Sequence, residues 1–316
     1  LTVLLSSVAH LNLREQYLPY KDLIAIVLLD KNPGVRTVIN KIDTVGEESE
    51  YRTFSYEVLA GMDDMDVTLR EQECTFKFNY AKVYWNSRLS TEHERLVHEF
   101  REGEAVCDVM AGIGPFALPA GKKKVFVWAN DLNPESFKAL EDGIKRNKVG
   151  DFVRPFNQNG RQFIREASCK LYQDDRSVTL PSKLSRSQKA ASADIKTTSQ
   201  IITQPKYFSH FVMNLPASAL TFLPSFIGLY SQAGIPRNEP LPKIHVYCFS
   251  TKSDDNKAES IEICKEISSL LGFEFKPGDG KTEGEVAIHD VRDVAPKKRM
   301  FCASFQLPME VAFRDS

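Results

Sequence analysis

The chain has 316 residues, 42% of them hydrophobic and 26% charged, with a net charge of −1. That length allows two domains with sizeable cores, and the composition is ordinary for a globular protein. The near-zero charge excludes a global polyanion-binding surface but leaves a local basic face open. No run of about 18 apolar residues occurs, so no membrane-spanning helix is expected. The six cysteines form no C-x-x-C and stand at no zinc-ligand spacing with a histidine, so no metal is expected and a reduced, intracellular protein is. The first residue is Leu rather than Met, which suggests a fragment of a longer chain.

In chain order, "LIAIVLL" (23–29) predicts a buried strand or short buried helix. "TVINKID" (37–43) and "ECTFKFNYAKVYW" (73–85) predict strands, the latter with Phe76, Phe78 and Tyr80 alternating against Lys77 and Asn79. "YRTFSYEVLAG" lies between them, and the whole of 1–89 suggests a small α+β domain. "STEHERLVHEF" (90–100) predicts a helix, capped by Ser90 or Thr91 and with Glu92 and Glu94 near its positive end. From there strands and helices alternate: "EAVCDVM", "VFVWAND", "FVRPFNQN", "YFSHFVMNLP", "IHVYCFS" and "RMFCASFQL" against helical "PFALPAGKK", "NPESFKALEDGIKRNKV", "GRQFIREASCKL" and "SIEICKEISSLLG". Alternation of this kind predicts a doubly wound, mostly parallel α/β sheet over 90–316. Residues 173–206, rich in Ser, Lys, Thr and Gln, are expected to form a flexible insertion.

Ligands of such sheets bind at the carboxyl ends of the strands. "DVMAGIGPF" (108–116) ends the first of them, and Gly112 and Gly114 would let the backbone approach a ligand. A dinucleotide would need N–H donors for its pyrophosphate just where Pro115 removes one. Asp131, at the tip of the next strand, suits the hydroxyls of a ribose. Together these features favour S-adenosylmethionine over a nicotinamide dinucleotide, although Asp108 and Asp131 could instead merely cap helices. The turn "MNLP" (213–216) follows the fourth strand, where Asn214 could both donate to and accept from a flat base edge.

The words "YRTFSYEVLAG", "AKVYWNSRLSTEHERL", "CDVMAGIGPFALPAG", "ANDLNPES" and "FVMNLPASA", in this order, resemble the archaeal–eukaryotic tRNA (guanine-37 N1) methyltransferase family, and the insertion resembles that of fungal members. The resemblance implies a Rossmann-like class I methyltransferase fold, S-adenosylmethionine as cofactor, tRNA as partner and absence of most of the family's N-terminal domain. It also suggests a monomer located in cytoplasm, with nucleus and mitochondrial matrix as further compartments. The candidate cofactor residues are Asp108, Ala111, Gly112, Gly114 and Phe116 in the first turn, Asp131, Leu132 and Asn133 in the second, and Asn159, Gly160 and Asn214 beyond. Where family members often place an acid near the adenine edge, this chain has Asn157 and Asn159.

Methylating guanine N1 requires loss of its proton and builds charge on O6, so a base and a cation are needed. The resemblance implies Glu92 as the base, with a pKa raised by partial burial, Arg52 as the O6 partner, and Asn214 beside them. Glu94 is the rival base, and Glu92 could equally be a helix-end carboxylate. Arg88, Tyr84 and Pro216 are candidate substrate contacts, with an ion pair and core packing as the alternatives for the first two. Competing functions are transfer of the cofactor's aminocarboxypropyl group, as in wybutosine synthesis, a non-catalytic RNA-binding subunit, and a nicotinamide oxidoreductase.

Overall fold

The computed structural model describes residues 2–42, 51, 53–180 and 199–315. At the N-terminal end, β1 (Thr2–Leu5), β2 (Val8–Leu11), β3 (Thr37–Lys41) and β4 (Tyr56–Gly61) form one sheet in that order. The run 23–29 is helical, inside α1 (Lys21–Lys31), and it is not buried: only Ala25 is, while Leu23, Ile26 and Val27 face outward. An unbroken apolar run cannot by itself distinguish a buried element from one with an uncovered face.

A hairpin of β5 (Asp66–Glu71) and β6 (Cys74–Asn79) follows. Its inward residues, Val67, Phe76 and Phe78, join Trp85, Leu89, Leu96, Phe116 and Leu140 in one hydrophobic cluster. The hairpin is thereby packed onto the large domain, and Asn147 locks it there with hydrogen bonds to the backbone of Thr75.

The large sheet contains β7 (Ala105–Asp108), β8 (Phe126–Asn130), β9 (Val153–Phe156), β12 (His210–Met213), β13 (Lys243–Ser250), β14 (Lys276–Pro277), β15 (Glu285–Ala295) and β16 (Lys298–Gln306), in the order β14-β15-β16-β13-β12-β7-β8-β9. From β13 to β9 neighbouring strands are parallel, and the β13–β16 and β16–β15 pairs are antiparallel. Helices α2 (Ser90–Glu99), α3 (Ala117–Lys122), α4 (Pro134–Asn147), α5 (Gly160–Gln173), α6 (Leu229–Ala233) and α7 (Lys257–Leu271) connect them, and α8 (Met309–Ala312) closes the chain. The sheet separates two apolar clusters, one on each face, as expected of a doubly wound sheet. Because β8 lies on one side of β7 and β12 on the other, the order reverses at β7. A crevice opens there, at the carboxyl ends of the strands.

The region expected to be a flexible insertion is partly ordered. β10 (Ser177–Leu180) and β11 (Gln200–Thr203) form an antiparallel hairpin whose facing residues Val178 and Ile202 are buried in the core. Residues 181–198 lie outside the described residues. No described helix is long and apolar enough to cross a membrane.

Candidate active site

The first turn is built by hydrogen bonds between strand ends. Val109 donates its N–H to the Val212 carbonyl at 2.9 Å and Ala111 to that of Asn130 at 2.7 Å, so β12, β7 and β8 are tied together beyond their last paired residues. Gly112 turns with φ +56° and donates its N–H to Asp131 Oδ2 at 2.8 Å; Asn133 N–H reaches Oδ1 at 2.9 Å. Asp131 therefore clamps the glycine turn against the start of α4. Each oxygen keeps acceptor capacity, since a carboxylate oxygen can accept more than one bond. Burial raises the Asp131 carboxyl above its ordinary value, with the two N–H bonds pulling the other way.

The two glycines have different tasks. A Cβ at Gly112 would meet nothing within 4 Å, which leaves its backbone open to the crevice. Gly114, at φ +90°, would place a Cβ 2.7 Å from Leu140 Cδ1 and 3.0 Å from Leu118 Cγ. It is a packing glycine that brings α3 and α4 together.

A cavity of about 140 Å³ lies at the switch point. Tyr84, Gly112, Asp131, Leu132, Asn133, Asn159, Gly160 and Asn214 line it, together with Tyr51, Val109, Met110, Asn130, Ser136, Leu215 and Phe222. A smaller cavity of about 50 Å³ adjoins it under Tyr84 and Asn214, walled by Ala111, Phe116, Trp85 and His93. Tyr84, Met110, Gly112 and Asn214 border both and so mark the junction of the two spaces.

Several expected residues stand elsewhere. Asp108 is fully buried and lines neither cavity. Burial, and after it the charge of Asp131, raise its carboxyl well above the usual range, with the Met110 backbone N–H pulling the other way. It lies beneath the turn rather than in the wall of either cavity. Pro216 is buried and borders neither cavity; Arg88 is exposed on the short 3-10 turn Ser87–Leu89. Arg52 lies outside the described residues.

Glu92 is buried and borders neither cavity, though its neighbour His93 does. Arg95 holds it bidentately, Nε to Oε2 and Nη2 to Oε1, both at 2.7 Å. Tyr247 donates to Oε1 at 2.7 Å, and His289 Nε2 lies 3.3 Å from Oε2. Burial alone would raise the Glu92 carboxyl, but the bonds from Arg95, His289 and Tyr247 outweigh it and bring the group down to about 2. The expectation that partial burial would raise this pKa is thus reversed. Glu94 is exposed, its backbone carbonyl bonded to His98.

Sequence reasoning missed three contributors. Asn130 is buried and bonds Val109 O and Gln158 O while accepting from Gln158 N–H, which fixes the loop after β9. Its only signal was an amide beside Asp131 in "AND". Met110 packs against the core and is part of the pocket wall. His93 is buried with Nδ1 2.7 Å from Glu71 Oε1, its ring edge-on to Phe116. Asn157 bonds the carbonyls of Asp131 and Leu132, so it shapes the rim, whereas Asn159 caps α5 and lines the cavity.

Comparison with known proteins identifies relatives of this chain. The TRM5/TYW2 methyltransferase domain matches residues 67–178, and the TYW2 N-terminal domain matches residues 6–64. A tRNA (guanine(37)-N(1))-methyltransferase of Ajellomyces capsulatus is 55% identical over 96% of this chain and 65% of its own length. One of Phaeosphaeria nodorum is 56% identical over 98% of this chain and 67% of its own. The chain thus spans about two thirds of the length of the curated relatives it matches. Among solved structures, Trm5b from Pyrococcus abyssi is similar with a TM-score of 0.66 and 25% identity, covering 96% of this chain and 74% of that one. Fold, crevice and sequence likeness over nearly its whole length place this chain in the TRM5/TYW2 methyltransferase family.

Proposed function

We propose that the chain carries the catalytic part of a tRNA methyltransferase that uses S-adenosylmethionine to methylate N1 of guanine 37. The supporting observation is the crevice at β7. It has an open glycine backbone, a carboxylate with spare acceptor capacity, and Asn214 at the border of two connected spaces. The names of relatives at 55–56% identity point the same way.

The residues present fit the cofactor. Gly112 leaves room, Asp131 can accept from ribose hydroxyls, and Met110, Leu215 and Phe222 offer apolar walls to an adenine. When bound, S-adenosylmethionine supplies an electrophilic methyl group. Asn214 presents an amide that can donate to and accept from the guanine edge, and Tyr84 offers an aromatic face beside it. Glu92 receives the N1 proton. It is held ionised, as a base must be, and its low basicity means that the proton leaves late, once attack on the methyl has made N1–H acidic. For that transfer the N1–H replaces one of its four present donors. Arg52 keeps the role implied by the resemblance, a cation for the charge on O6.

The match of residues 6–64 to a TYW2 N-terminal domain favours one second reading, transfer of the aminocarboxypropyl group of the same cofactor. Incubation with S-adenosylmethionine and a tRNA transcript bearing guanine 37, followed by nucleoside mass spectrometry, tests both. A single added methyl at position 37 is expected; an aminocarboxypropyl adduct supports the second reading, and an unmodified transcript refutes both.

A further inference from the structure

Tyr247 of β13 and His289 of β15 both lie opposite Cys302 of β16. The three therefore form one row across the sheet and share one of its faces. Tyr247 and Cys302 belong to the apolar cluster that also takes in Leu96 and Val97 of α2. Glu92, on the same helix, sits over this row. Tyr247 reaches its Oε1 and His289 its Oε2.

The donors around Glu92 are unequal. Arg95 gives two bonds at 2.7 Å and is itself held by Glu99 at 2.8 Å. Its release would leave a buried carboxylate without a counter-charge. Tyr247 is fully buried and bonds at 2.7 Å; its hydroxyl, once withdrawn, would be a polar group unpaired in the core. His289 differs on each count. Its Nε2 is the most distant donor, 3.3 Å from Oε2, and its side chain is 46% exposed, whereas that of Glu92 is only 4% exposed. Water can replace the bond that this ring gives up. Just beyond it, between Asp290 and Arg292, β15 loses its regular register with β16, an irregularity that lets a strand re-aim its side chains.

We propose that His289 is a place-holder at Glu92: its imidazole occupies the lone pair of Oε2 that the guanine N1–H takes over, and swings out as the base enters. It is a positioning residue, acting through Glu92 and not on the methyl group. The base then arrives at the carboxylate from the exposed side, while Arg95 and Tyr247 keep their bonds and hold the group in place. Guanine carries a hydrogen on N1 and adenine does not, so the exchange depends on which base stands at position 37. The inference rests on the reading of Glu92 as the group that meets N1.

Histidine ring signals of the parent chain, followed by NMR, test this without any methyl transfer. His289→Gln identifies the His289 signal by its loss. With S-adenosylhomocysteine bound, a tRNA transcript with guanine 37 should move that signal, and one with adenine 37 should leave it in place. A second arm uses His289→Arg, which puts a permanently charged fork where the ring must give way. Its single-turnover methyl transfer should fall at least about tenfold, with the melting temperature and the S-adenosylhomocysteine affinity of the parent. A His289 signal that stays put with guanine 37, or moves equally with both transcripts, would overturn the place-holder; so would transfer at the parent rate in His289→Arg. A signal that moves only with guanine 37, on a transcript that S-adenosylmethionine then leaves unmethylated, would refute the proposed function and leave the displacement standing.

Discussion

The Asp131 carboxylate has an internal role and a proposed ligand role. It accepts from Gly112 and Asn133 within the protein, and in the proposed complex it accepts from the ribose. Asp131→Asn keeps size and one acceptor oxygen but turns the other oxygen into a donor facing an N–H. S-adenosylmethionine affinity should fall at least tenfold, since bonds to a charged acceptor are worth about 1.5–3 kcal/mol. Calorimetric titration of the folded variant checks this, and an unchanged affinity would move the ribose elsewhere. Asn214→Ala should behave differently, with cofactor affinity nearly kept and the single-turnover methyl-transfer rate reduced, because its amide is proposed to meet the base. Equal loss of both quantities would place Asn214 on the cofactor instead.

Gly114 has a packing task at the level of elements that its motif does not spell out. The sequence marks it as part of a ligand turn, and its missing Cβ makes room for Leu118 and Leu140, where α3 and α4 meet. Gly114→Ala must strain a φ of +90° and displace a leucine, so it should cost about 1–3 kcal/mol of stability, read as a lower urea midpoint. A midpoint unchanged within error would show that the helices shift freely. The strand–helix alternation was legible because each element repeats one simple pattern, and Asp131 and Asn214 were legible as candidates because they directly follow strands. What stayed hidden depends on distant partners. β15, "EVAIHDVRDVA", mixes charged and apolar residues without a regular alternation and is a strand because it pairs with β16. The hairpin of β10 and β11 was concealed by the polar sequence between its arms, although Val178, Ile202 and, in part, Leu180 pack into the core.

Across the whole molecule, Glu92 joins elements that are far apart in the chain. Its carboxylate on α2 meets Tyr247 on β13 and His289 on β15, and Arg95 continues the chain to Glu99, which pairs with Lys243 at 3.0 Å. The helix is thus pinned to the sheet through one ionised group. Its pKa falls from 4.5 to about 2 on folding. A depressed carboxylate stabilises the fold above its unfolded value of 4.5, and that contribution is lost as pH falls from there through about 2. At 1.36 kcal/mol per pH unit this is on the order of 3 kcal/mol. Asp108 and Asp131 are raised and shift the acid limb the opposite way, so the parent chain alone cannot isolate the effect. The difference between the parent and Glu92→Gln can. By urea denaturation it should be about 3 kcal/mol at pH 7 and should shrink steadily between pH 4.5 and 2.5. The same depressed pKa predicts that methyl transfer in the parent has no limb from Glu92 between pH 5 and 8, because the group is already ionised throughout. Glu92→Gln should slow single-turnover transfer about 10²–10⁴-fold across that range, including at temperatures well below its lowered melting point. If the stability difference does not change with pH, the Arg95 and Tyr247 bonds do not hold a carboxylate in solution. If stability falls as expected while transfer keeps its parent rate, Glu92 is a structural anchor and another group takes the guanine proton.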